Sequence, residues 1–161
     1  MLPISLKRGL ELTSDRVPDA DHLMRYVPYG QQVRDAEDGS FKGIVGTAFS
    51  VRPSDNGGLS LTWVEHYGVK CIGTYAVAAS KFRDSFGKLG AKACFAIGTA
   101  GATRQTSAIH GKQIRLVHAP DGPNSGHVEL RRFSDEDRAL LDALALDVFA
   151  EHVAVADLTL T

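Results

Sequence analysis

The sequence predicts an α+β domain: a mostly antiparallel sheet with two main helices on one face. Three observations predict it. Two alternating apolar segments flank a turn rich in Asp, Asn and Gly at 54–58. Two longer stretches carry apolar residues at helical spacing. The elements then run strand–strand–helix twice over, with no linker between the units. Gly46-Thr47-Ala48 and Gly98-Thr99-Ala100 stand near the first strand of each unit, which leaves a duplication open.

The elements follow in order. Residues 1–18 show no clear period. Asp19 is placed to cap a short helical turn through Leu23, Met24 and Val27, which Pro28 ends. Gly30 to Lys42 is polar and reads as a loop. Residues 44–51 and 59–67 read as the two strands of a hairpin. Their odd positions, Val45, Phe49, Val51, Leu59, Leu61 and Trp63, are the apolar ones. Side chains alternate faces along a strand, so Glu65 follows Trp63 on the same face.

A helix follows Thr74, with Tyr75, Ala79, Phe82, Phe86 and Leu89 on one stripe and Gly90 as its stop. Ala93 to Ile97 and Gln113 to Ala119 read as strands. The small, polar residues 98–107 between them read as a surface loop, and so does Pro120 to Gly126. Ser134-Asp135-Glu136-Asp137 opens a second helix, with a hydroxyl cap and acids in its first turn. Leu141, Leu144, Val148 and His152 share its inner face. Val153 to Leu160 reads as a last strand.

At 161 residues the chain is the size of one domain, taken as 1–161. Its formal net charge is -1 with both signs interspersed, so nucleic acid is not indicated as a partner. No stretch reaches the roughly 20 apolar residues of a membrane span, and the start lacks a signal-peptide pattern. A cytoplasmic protein is expected. Cys71 and Cys94 match no zinc or redox spacing and read as small buried apolar residues.

Chemistry-bearing motifs are mostly absent. Gly98 to Lys112 fails the phosphate-loop pattern, because Thr106 stands where a glycine is needed and Gln113 follows Lys112. The dinucleotide pattern lacks its third glycine. Arg104, Thr106 and Ser107 remain candidate anion donors. His110, His118 and His127 match no zinc spacing, so no metal and no cofactor is expected. Ser125 has no nucleophile elbow around it.

Glu65 beside Trp63 suits a general acid or base, or a strand-end salt bridge. Arg25 and Arg52, with His22, would form an anion-binding corner if the first turn packed by the hairpin. The same residues would serve a structural corner tied by Glu65.

Three segments carry a resemblance: Asp19-Ala20-Asp21-His22-Leu23-Met24-Arg25-Tyr26, then Phe49-Ser50-Val51-Arg52-Pro53, then Leu59-Ser60-Leu61-Thr62-Trp63-Val64-Glu65. Together they resemble a group of short uncharacterised bacterial proteins with an Asp-His-x-x-Arg-Tyr segment, an Arg-Pro turn and a Leu-Ser-x-x-Trp-x-Glu strand. A late histidine, matched by His127, also belongs to the pattern. His66 departs from it, standing where an aromatic residue is expected. The resemblance implies one site made of His22, Arg25, Tyr26, Arg52, Trp63, Glu65 and His127.

Two functions are therefore expected. The first is a binding or accessory module acting with a protein partner or a second copy, as in a bacterial defence or toxin-control system. The alternative is a small enzyme acting on a phosphate-bearing substrate, a nucleotide or nucleic-acid end. In it His22 or His127 is the acid/base, Glu65 its partner, and Arg25, Arg52 and Arg104 the anion contacts.

Overall fold

A computed structural model describes residues 16–51 and 58–161, and it is of the α+β class. Six strands form the main sheet in the order β6-β7-β4-β1-β5-β8, every neighbouring pair antiparallel. They are β1 (His22–Val27), β4 (Gly58–Trp63), β5 (Cys94–Thr99), β6 (Arg115–His118), β7 (His127–Arg131) and β8 (Glu151–Ala154). β2 (Gln32–Arg34) and β3 (Phe41–Ile44) pair as a separate two-stranded ribbon. The helices are α1 (Ile72–Phe86), α2 (Ala100–Ile109) and α3 (Arg138–Ala143), and α3 runs on into a π-helical turn at Leu144–Val148.

The segment expected to start as a helical turn is the central strand β1. Leu23 and Val27 enter one apolar cluster and Met24 enters the other. A strand covered on both faces loses its polar alternation, so its apolar run mimics a helical stripe.

The hairpin is also corrected. Residues Gly46–Phe49 form a 3-10 turn, and β4 pairs with β1 and β7 rather than with the segment before it. The turn at 52–57 lies outside the described residues, and Arg52 with it.

Residues 98–107 are not a surface loop. They supply the end of β5 and most of α2, whose first turn is capped by the Thr99 hydroxyl accepting from Ala102 N. The buried face of α2 is Ala100, Thr103 and Ser107, spaced three and four apart but almost without hydropathy.

Helices cover both faces, not one. Tyr75, Ala78 and Ala79 of α1 pack on Met24, Phe95 and Ile97. Leu140 and Leu141 of α3, with Leu144 and Phe149, pack on Leu23, Leu59 and Leu61 from the other side. Phe49 and Phe149, both fully buried, meet with ring centroids 4.8 Å apart at the centre of this second core. Deleting one such ring costs on the order of 3–5 kcal/mol. Cys94 is buried as expected, and burial pushes its thiol up to about 11. Cys71 is exposed, against expectation, at the N-terminal cap of α1. Among the described residues no helix is long and apolar enough to cross a membrane.

Candidate functional site: a cleft where two central strands part

β1 and β4 pair only at Leu23–Trp63 and Met24–Thr62. Past that point β1 stays with β5 and β4 stays with β7, so the two central strands diverge. A cleft of about 180 Å³ opens in the gap, lined by Arg25, Tyr26, Ser60, Thr47, Phe82 and Phe86 among others. Arg25 spans the parting. Its Nε donates to the Ala48 carbonyl at 2.9 Å and its Nη1 to the Ser60 carbonyl at 3.0 Å. A side chain thus takes over a carbonyl that a continued ladder would have used, because a buried carbonyl without a partner is costly.

His127 reaches the same strand from β7. Its Nδ1 lies 2.7 Å from the Ala119 carbonyl and its Nε2 lies 3.0 Å from the Ser60 hydroxyl. A carbonyl only accepts, so Nδ1 carries the proton. In the neutral ring Nε2 is then an acceptor, and the Ser60 hydroxyl must donate to it. The backbone therefore fixes the tautomer that suits a general base, and its proton donor is a hydroxyl on the wall of the cleft. Gly126 allows this approach: a Cβ there would stand 2.7 Å from Tyr67 Cε2. The Gly126 amide donates instead to the Tyr67 hydroxyl, which donates to Asn124 Oδ1 and fixes the turn before β7.

His22 and Glu65 do meet. Glu65 accepts from the His22 backbone amide and faces His22 Nδ1, both at 2.7 Å. They meet elsewhere, however, at the start of β1. His127 lies opposite Thr62, and Thr62 opposite Met24. Strand spacing and a two-residue offset put the two histidines' Cα atoms roughly 12 Å apart. The seven residues implied to form one site are thus not brought together: His22 meets Glu65, Arg25 and Tyr26 line the cleft with His127 on Ser60, Trp63 stands apart on the core, and Arg52 is outside the described residues.

Around His22, Tyr75 donates to Glu151 Oε2 at 2.6 Å and Lys70 Nζ donates to Oε1 at 2.9 Å. Burial, then the Glu151 carboxylate, pushes the Tyr75 hydroxyl far above its ordinary range. Burial draws the Glu151 carboxyl upward. The Lys70 and Tyr75 bonds, with the charges of Lys70 and His22, outweigh it and hold it low. The Thr74 hydroxyl and amide lower the Cys71 thiol.

The remaining expected residues have structural contacts. Arg104 pairs with Asp19 and donates to the Val17 carbonyl, which ties α2 to the chain before β1. Trp63 packs on the core and donates through Nε1 to Asp21 at 2.8 Å. His152 sits on β8, not on the last helix, edge-on to Phe41. His66 contacts the Ser125 hydroxyl at 3.0 Å. Burial first, and the nearby His118 second, lower its pKa.

Among the described residues no group of three His, Cys, Asp or Glu side chains is arranged to hold a metal ion. Ser60 is the residue that sequence reasoning missed. Its signal was a hydroxyl at a polar position of an otherwise apolar strand. Compared with protein-family models, curated proteins and solved structures, the chain matches none of them.

Proposed function

We propose that the chain is a small enzyme that cleaves a phosphate ester in the cleft between β1 and β4. Ser60 is the nucleophile, His127 its base, and Arg25 a cationic wall for the phosphoryl oxygens. The observation that carries this reading is the fixed tautomer of His127, which presents Nε2 to a hydroxyl on the cleft wall. It supports the enzyme reading better than the accessory-module reading, which rests on the size of the chain and the lack of a cofactor motif in its sequence.

In the step, the Ser60 oxygen forms a bond to phosphorus while the bond from phosphorus to the leaving oxygen breaks. The serine proton passes to His127 Nε2 and on to the leaving oxygen. Water then attacks the seryl phosphate and gives a proton to Nε2 while the bond from phosphorus to the Ser60 oxygen breaks; Nε2 returns that proton to the Ser60 oxygen, and phosphate leaves. Arg25 is held at the wall by contacts that include the Ala48 and Ser60 carbonyls, so it is positioned before charge develops.

The test is phosphate release from a panel of alkyl and aryl phosphate monoesters, together with acid-quench mass spectrometry. Turnover lost in Ser60→Ala, with one phosphoryl group trapped on Ser60 in the wild type, is the expected result. Turnover unchanged in folded Ser60→Ala defeats the proposal.

A further inference from the structure

Phe86 ends α1 with 54% of its surface exposed, although it belongs to a packed aromatic group. It stacks on Phe82 with centroids 4.9 Å apart and rings inclined 16°, and both rings stand 5.4 Å from Tyr26. All three residues line the cleft. Tyr26 is held in place by the Gly90 amide, which donates to its hydroxyl at 2.8 Å. The rest of the lining is largely polar, with Arg25 and the hydroxyl-bearing Thr47, Ser50 and Ser60. The lining thus offers flat π surface together with a cation and hydroxyls, the proposed nucleophile among them.

We infer that the cleft takes the phosphate ester of a single flat ring, with the ring on Tyr26, Phe82 and Phe86 and the phosphate toward Arg25 and Ser60. This rests on the phosphate-ester reading above and names its substrate class. The volume decides the size. Sites for drug-sized ligands run from roughly 300 to 1,000 Å³, so about 180 Å³ holds one ring with its head group and not a dinucleotide. The aromatic wall decides the shape, since stacked and edge-on ring contacts add to simple apolar burial.

The probes are phenylphosphonate and methylphosphonate, which share the anionic head and do not hydrolyse. Each is titrated into the full chain and followed by amide NMR, using wild type, Phe86→Ala, Phe86→Leu and Ser60→Ala. Phe86 is at the surface, so its variants should fold, and a thermal melt of each confirms it. Phenylphosphonate should bind about tenfold more tightly than methylphosphonate to wild type and to Ser60→Ala. Phe86→Ala should erase most of that advantage, and Phe86→Leu should restore only part of it. Equal affinity for the two probes overturns the inference, as does an advantage untouched by Phe86→Ala. The two readings fail separately. A ring preference without any turnover of aryl phosphates keeps the ring site and removes the enzyme. Equal turnover of alkyl and aryl phosphates keeps the enzyme and overturns the ring site.

Discussion

Replacing His127 with Phe separates its chemical role from its structural one. The ring volume is kept while both nitrogens are removed. Two hydrogen bonds are lost, one to the Ala119 carbonyl and one from the Ser60 hydroxyl. Each is worth about 0.5–1.5 kcal/mol net, and His127 is only half-buried, so water replaces part of the loss. The expected stability cost is about 1–2 kcal/mol. The backbone bond from Ala119 N to the His127 carbonyl, and the ladders of β7 to β4 and β6, do not depend on the side chain. A domain of this size typically has about 5–15 kcal/mol in hand, so the variant stays folded. A positioned general base contributes about 10²–10⁴-fold in rate, or roughly 3–5 kcal/mol of barrier at 1.36 kcal/mol per decade. The loss of turnover should therefore exceed what the loss of stability predicts. Urea melts give the first quantity and initial rates of phosphate release give the second. A folded His127→Phe protein within about threefold of the wild-type rate would refute the reasoning that makes Nε2 the base.

Three further outcomes are expected. Glu65→Gln should cost about 1–2 kcal/mol in a urea melt, because a charged acceptor of two His22 bonds becomes neutral, yet leave turnover within about threefold; a hundredfold loss of rate would move the chemistry to the start of β1. Gly98→Ala should lower the urea midpoint by the equivalent of about 2 kcal/mol, since its Cβ would stand 2.6 Å from the Val148 carbonyl and 3.2 Å from the Phe149 ring; an unchanged midpoint would show that the π-turn yields freely. His152→Phe should flatten the acid side of the stability profile. Burial holds the His152 pKa down, against the opposing charge of Glu151, and its Nε2 has no partner among the described residues. The unfolded chain binds a proton near pH 6.5 that the folded chain resists, so this stability is present above that pH and lost as pH falls below it. Melts at pH 7.5, 6 and 5 that decline equally in wild type and variant would assign the acid sensitivity to other groups such as His66.

What was legible in the sequence depended on how many faces of each element are covered. The stripe through Tyr75, Ala79, Phe82 and Phe86 marked α1 because one of its sides meets the sheet and the other meets water. β1 has no such contrast, since Leu23 and Met24 point into different cores and both are buried. α2 fails for the opposite reason: Thr103 and Ser107 are buried polar residues, Thr103 satisfying its hydroxyl on the Thr99 carbonyl, and hydroxyls carry no apolar signal. The alternation along β4 identified a strand but not its neighbours. Local propensity says nothing of whether β4 pairs with the preceding segment, with β1, or with β7, more than 60 residues away.

The cleft follows from that same long-range choice, which is why no motif announced it. If β1 and β4 paired along their whole length, the Ser60 carbonyl would join the ladder and Arg25 would have no gap to cross. They pair at two positions instead, and each side of the parting is committed elsewhere: β1 to β5 through all six of its residues, β4 to β7 through five. The Ser60 carbonyl freed by the parting then needs a partner from outside the ladder, and Arg25 supplies it, while His127 of β7 meets the Ser60 hydroxyl. A fold that only had to be stable could close this gap with apolar side chains of similar volume. Here a cation and a tautomer-fixed imidazole meet one serine at the edge of an aromatic wall. Swapping Ser60 for Ala removes a single hydroxyl and none of the backbone bonds, so it asks directly whether the arrangement holds the sheet together or does chemistry on a substrate.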